Sequence, residues 1–295
     1  MQNVKLRSDL VLLLAAIIWG FAFVAQRVGM EYVGPFTYNS VRFGLGALVL
    51  LPFLVLRKEK TRSLIMASHP SGKRRIIIGS LVTGLFLFVG ASFQQYGIQY
   101  TTAGKAGFIT GLYVVFVTIA GVFFGHRTNV YIWIGMALSI TGLYFLSITK
   151  DLTIASGDMY ILACAVVFTG HVLMIAWLSP KMDSIFLAVI QFSICSLLSL
   201  LVASSMETLQ WASILAAWLP VLYGGIFSVG IAFTLQVVAQ KTAHPAYASI
   251  ILSLEAVFAV IGGIIILHEV LTMRILTGCL LMLAGMLLVQ LRGSR

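Results

Sequence analysis

Residues 251–263 read ILSLEAVFAVIGG: one carboxylate, Glu255, set in a run of apolar and small residues. The run extends over 246–267, and nine other apolar segments resemble it, at 10–28, 35–56, 76–99, 102–124, 130–149, 158–179, 184–204, 213–239 and 272–291. About 20 such residues span a bilayer as a helix. Of the 295 residues, 60% are hydrophobic and 9% charged, against roughly 25% charged in a soluble domain. So few charges cannot cover a water-exposed surface, and the composition predicts an all-α integral membrane protein of ten transmembrane helices.

The net charge of +10 gathers at helix ends rather than on one face, which predicts membrane-flanking charge and no nucleic-acid partner. With the N-terminus on the cytoplasmic side, that side holds fourteen Lys/Arg: Lys5, Arg7, seven in loop 57–75, Arg127, Lys181, Lys241, Arg292 and Arg295. The far side holds Arg27, Lys105, Lys150 and Arg274. This bias predicts cytoplasmic termini. Lys5 and Arg7 before an apolar run resemble a signal peptide, but Asp9 interrupts that pattern and the segment has a mid-chain counterpart. Cys164, Cys195 and Cys279 lie in apolar segments without a CxxC, so neither a disulfide framework nor a metal site is expected.

The chain repeats itself. An offset of 149 residues pairs Asp9 with Asp158, Trp19 with Phe168, and Arg42-Phe43 with Gln191-Phe192. Thr102-Ala103 recurs at 242–243, Val115-Phe116 at 257–258 and His126 at 268, while Gly135 and Gly142 recur as Gly278 and Gly285. The halves run over about 9–149 and 158–291. Each has five helices, an odd number, so the second is expected to be inverted in the membrane. Loop 57–75 is strongly basic, whereas its counterpart near 204–212 has no Lys/Arg and holds Glu207. Inverted repeats are a transporter architecture with the substrate site near mid-depth.

Ionisable groups inside such helices are expensive and mark function by default. Glu255 shares its face with Ala248, Ala259 and Gly262, which let a neighbouring helix approach; it is expected to point inward, as a functional acid or half of a structural ion pair. Arg42 shares a stripe with Pro35, Asn39 and Gly46. Its options are pairing with Glu255, a substrate carboxylate, backbone carbonyls, or snorkelling. Further polar and aromatic stripes are Trp19, Phe23 and Gln26 in the first segment, Ser92, Gln95, Tyr96 and Gln99 in the third, Thr110 and Tyr113 in the fourth, and Ser228, Gln236 and Gln240 in the eighth. They predict a hydrated cavity, with helix-to-helix hydrogen bonding as the alternative for any single residue. His171 in the sixth segment is a candidate proton relay or a buried hydrogen-bonding residue. The motifs of ATP-binding loops, metalloproteases and serine hydrolases are missing from the sequence, so an enzyme is not expected and uphill movement would draw on a gradient.

Trp19-Gly20, Arg42, TTAGKAGFITGLYVVFV (101–117), SLEAVFA (253–259) and the His268-Glu269 pair together resemble the EamA branch of the drug/metabolite transporter superfamily, across both halves. The resemblance implies two inverted five-helix EamA repeats, a central cavity lined by helices one, three, four, six, eight and nine, and export of small metabolites such as amino acids. The family often has Pro after the ninth-helix Glu and after the fourth-helix Phe-Val, where this chain has Ala256 and Thr118; no kink is expected from proline at either place. The combined expectation is a secondary transporter working by alternating access. Trp19, Phe23, Tyr96 and Tyr113 would form aromatic walls, and Gln95, Gln99, Gln236 and His171 would offer hydrogen bonds. Glu255 would bind an amine or carry a proton, with Arg42 as its coupling partner or ion pair. A small-molecule substrate, membrane lipids and protons are the expected partners, and no cofactor is expected. A lipid or lipid-linked-sugar flippase is the rival reading, and an intramembrane sensor or enzyme a remoter one.

Overall fold

The computed structural model describes residues 2–56, 70–101, 103–123, 125, 128–147, 156–267 and 272–292. Residues 57–69, Thr102, His126, Arg127, Lys150, His268, Glu269 and Arg295 lie outside the described residues. Every regular element described is helical: α1 (Gln2–Gly29), α2 (Pro35–Leu56), α3 (Pro70–Gly97), α4 (Ala103–Gly111), α5 (Tyr113–Phe123), α6 (Val130–Ser147), α7 (Ser156–Leu178), α8 (Ser184–Met206), α9 (Trp211–Ala216), α10 (Trp218–Leu222), a π-helical stretch Tyr223–Phe233, α11 (Thr234–Ala239), α12 (Pro245–Leu252), α13 (Glu255–Leu267) and α14 (Met273–Arg292). Eight spans are long and apolar enough to cross a membrane, and two shorter apolar helices, Val130–Phe145 and Met273–Val289, occupy the fifth and tenth segments. Leu56, Phe123 and Trp211 stand largely exposed, as a lipid-facing surface requires and a water-facing one of this extent would not tolerate.

Among the described residues, the fourth and ninth segments break near their middles, where the sequence predicts continuous helix. The fourth divides at Leu112, whose N–H bonds Ile109 O at 3.2 Å. The ninth divides at Ser253–Leu254, where Leu254 N donates to Ile251 O and Ala256 N to Ser253 O, both at 3.2 Å. No proline is involved. Ser249 Oγ and Ser253 Oγ donate to carbonyls three residues back, at 2.9 and 2.8 Å, and such back-bonding competes with the helical ladder. At Thr118, by contrast, the helix runs through, with Thr118 Oγ1 donating to Val114 O at 2.7 Å. The two breaks are 142 residues apart, the offset that pairs these segments, so each places an equivalent residue, Tyr113 and Glu255, at the start of a second half-helix.

The helices pack through small residues. A Cβ at Gly142 would sit 2.6 Å from Gly278 O, so the repeat-related glycines of α6 and α14 meet at one crossing. A Cβ at Gly20 would collide with Phe258 Cβ and lie 2.7 Å from its carbonyl carbon. That glycine lets α1 lie directly on the α13 backbone just beyond Glu255, which explains the Trp19-Gly20 pair: one residue faces the interior and the next admits the neighbouring helix. Gly20→Leu is expected to abolish recovery of monodisperse protein, whereas Gly104→Leu, where an added Cβ meets nothing within 4 Å, leaves it intact; size-exclusion chromatography checks both.

Candidate functional site: a charged cavity between the broken helices

Glu255 and Tyr113 face one cavity, lined also by Trp19, Phe23 and Gln26 of α1, Arg42 of α2, Ala91 and Gln94 of α3, Thr110 of α4, Phe168, His171 and Val172 of α7, Ser228 and Phe233 of the π-helical stretch, and Gln236 of α11. Its volume is about 40 Å³, far below the roughly 300–1,000 Å³ of small-molecule sites, so side chains must turn aside to admit anything bigger than a few waters.

Arg42 is 2% exposed. Its Nε donates to Asn39 Oδ1 at 3.0 Å, and Asn39 Nδ2 donates to Ala91 O at 3.1 Å, tying α2 to α3. The guanidinium carbon lies 4.9 Å from the Phe43 ring centroid and 5.4 Å from that of Tyr38. Arg42 therefore does not snorkel; it is anchored inside the bundle. Glu255 is 4% exposed, and among the described residues no ion pair joins it to Arg42. A guanidinium and a carboxyl group thus face one low-dielectric space without an ion pair between them, and burying either in its charged form costs several kcal/mol unless something polar meets it.

Neutral groups complete the walls. Trp19 Nε1 donates to Ser228 O at 3.2 Å, and its ring meets Phe233 edge-on at 4.6 Å. His171 Nε2 lies 2.8 Å from Gln191 Oε1, with the amide orientation and tautomer set by that bond. Gln191 is the repeat counterpart of Arg42, so where the first half presents a cation the second presents a histidine–amide pair. Gln26 Oε1, Tyr113 Oη and Gln236 Oε1 are buried in the lining without a protein partner; buried polar atoms left so are uncommon and each asks for an explanation.

Of the residues singled out in the sequence, Trp19, Phe23, Arg42, Tyr113, His171, Gln236 and Glu255 meet here. Gln95, Tyr96 and Gln99 do not. Gln95 Nε2 donates to Gln26 O at 3.3 Å, Tyr96 packs on Tyr160 with centroids 4.9 Å apart, and Gln99 Nε2 donates to Tyr96 O at 3.2 Å. The inward face of α3 is turned by one residue, to Ala91 and Gln94. Phe168 was marked by its pairing with Trp19. Ala91, Val172 and Phe233 carry no polar signal and are found only through packing. The second helix joins the cavity through Arg42, beyond the six helices that the family resemblance implies.

Broken membrane-spanning helices around a polar, aromatic-walled cavity are a transporter architecture. Residues 6–148 and 155–291 each match the EamA-like transporter family, and the chain belongs to that family. It is 32% identical over 294 residues to an uncharacterized transporter of Archaeoglobus fulgidus, covering 98% of this chain and 87% of that one. YoaV of Bacillus subtilis, also an uncharacterized transporter, is 27% identical over 297 residues, 95% of each chain. YedA of Escherichia coli, an uncharacterized inner membrane transporter, is 28% identical over 132 residues, 44% of this chain and 40% of its own. A solved crystal structure with 18% identity superposes with a TM-score of 0.79 over 98% of both chains, a likeness of fold.

Ala91→Phe would place a ring in the cavity that Arg42 and Trp19 also line. It is expected to abolish solute flux in proteoliposomes while leaving the chromatographic profile unchanged.

Proposed function

We propose that the chain is a secondary transporter that exports small zwitterionic metabolites, amino acids above all, across the cytoplasmic membrane by alternating access. The observation that carries this reading is that Arg42 and Glu255 line one aromatic-walled cavity with no ion pair between them. An α-amino acid offers the complementary pair: a carboxylate for Arg42, whose planar fork suits it, and an ammonium for Glu255. The rings of Trp19, Phe23, Phe168 and Phe233 suit an apolar side chain. The unpartnered oxygens of Gln26 and Gln236 and the Tyr113 hydroxyl suit the remaining ammonium hydrogens or the waters that accompany them. In the ligand-free half of the cycle Glu255 can take a proton in place of the amine, which would couple export to proton entry. The two five-helix halves, 9–149 and 158–291, are inverted in this reading, with both termini cytoplasmic; the fourteen-to-four bias of Lys/Arg supports that orientation. Arg42 comes from one half and Glu255 from the other, so a bound zwitterion bridges the elements that must move against each other.

The test is counterflow of radiolabelled amino acids into sealed proteoliposomes. Purified protein is expected to give saturable counterflow. Arg42→Gln and Glu255→Gln are each expected to lower it about 10–100-fold, the loss of one charge-assisted contact. Glu255→Gln is also expected to flatten its pH dependence. Wild-type rates and pH profile in both variants would overturn the reading.

A further inference from the structure

Positions 34 and 183 are equivalent at the 149-residue offset, and the structure uses both to start a helix. Gly34 O accepts from Tyr38 N at 2.9 Å, and Asp183 O from Leu187 N at 3.0 Å. Each is therefore an N-cap, of α2 and α8 respectively. Asp183 completes its cap with its own carboxylate: Oδ1 accepts from Ile185 N at 3.0 Å and Phe186 N at 3.1 Å, the usual remedy for amides left over at a helix start. Gly34 has no side chain with which to do this. The matching amides, Phe36 N and Thr37 N, donate instead to Glu207 Oε1 at 2.9 Å and Oε2 at 2.8 Å, and Thr37 Oγ1 donates to the same Oε2 at 2.6 Å.

Glu207 belongs to the other half of the chain. It sits at the C-cap of α8, where the helix dipole disfavours an acid, yet against the N-terminus of α2, where the dipole favours one. A Cβ at Gly34 would lie 2.6 Å from Oε1, so the missing side chain is what makes room for the borrowed carboxylate. Further along, α2 and α8 are held by Ser196 Oγ donating to Ser40 O at 2.8 Å and by Phe43 against Phe192, with centroids 6.2 Å apart. Arg42 lies between these contacts, five residues beyond Thr37.

We propose that Glu207 is a positioning residue: it caps α2 from across the repeat and thereby sets how α2 seats against α8 and how far Arg42 reaches into the cavity. The proposal rests on that cavity being the working site, but its test needs no transport.

Unfolding midpoints are measured on the full-length protein carrying Glu207→Ala, Gly34→Asp, or both. Glu207→Ala is expected to lower the midpoint by about 2–4 °C. Gly34→Asp alone is also expected to lower it, because its side chain meets Glu207. In the Glu207→Ala background the same substitution is expected to raise the midpoint, because the cap is then restored in cis as at Asp183. The second readout is the rate at which a charged methanethiosulfonate modifies Arg42→Cys with Cys164, Cys195 and Cys279 replaced by Ala. Glu207→Ala is expected to shift that rate several-fold, and adding Gly34→Asp to return it. Equal loss from Gly34→Asp in both backgrounds would overturn the capping assignment. A lowered midpoint with an unchanged modification rate would overturn the positioning role. Failure of amino-acid counterflow with both readouts as expected would count against the transport reading alone.

Discussion

Hydrocarbon offers no hydrogen bonds, and this single constraint organises the molecule. Every backbone amide must be satisfied inside a helix or against another part of the protein, so irregular backbone is tolerated only where it faces the interior. The interruptions at Leu112 and Ser253–Leu254 obey it. Both face the bundle centre, and each sets a polar side chain, Tyr113 or Glu255, on the cavity just where the helix resumes. The eighth segment relaxes the helix differently, through the π-helical stretch Tyr223–Phe233, and Ser228 O within it accepts the Trp19 indole. Departures from regular α-helix thus cluster around the space that holds the charges.

The same constraint explains what was legible in the sequence. The outward surface has to be apolar and the inward one small or polar, so composition and segment lengths announce ten membrane helices, and the small face around Glu255 announces that it points inward. The repeat offsets are legible because glycines at crossings cannot drift: Gly142 and Gly278 actually touch. What stays hidden is helical phase. Gln94 and Gln95 are chemically identical neighbours about 100° apart on the helix wheel, and only packing decides that Gln94 faces the cavity while Gln95 bonds to α1. The breaks were hidden for another reason. Proline is a visible cause of a kink, but here serine hydroxyls accompany the interruption in the ninth segment, and serines occur in unbroken helices too.

The two halves share a plan without sharing chemistry. Arg42 answers to Gln191, Glu255 to Tyr113, and Gly34 to Asp183. In each pair one member is charged and the other is not, so duplication supplies the scaffold and divergence the polarity. The arginine and the carboxyl group come from opposite halves, and in the membrane interior charges on the two would attract more strongly than they would in water. No ion pair joins the two: Arg42 is engaged by Asn39 and by the rings of Tyr38 and Phe43, while Glu255 stands at the start of α13.

That restraint has a consequence for energetics. A site whose charges could satisfy each other would have little affinity left for a ligand, since binding would first have to break the pair. Under the proposed function, groups held apart keep their electrostatic demand, and a bridging ligand or a proton would be stabilised by meeting it. The cost of holding them apart must be met by rigidity elsewhere, which is the physical reason for the polar ties around the cavity: Asn39 to Ala91, Trp19 to Ser228, His171 to Gln191, and, at the end of α2, Phe36 and Thr37 to Glu207. Two of these four ties, Trp19 to Ser228 and the α2 amides to Glu207, cross between the halves.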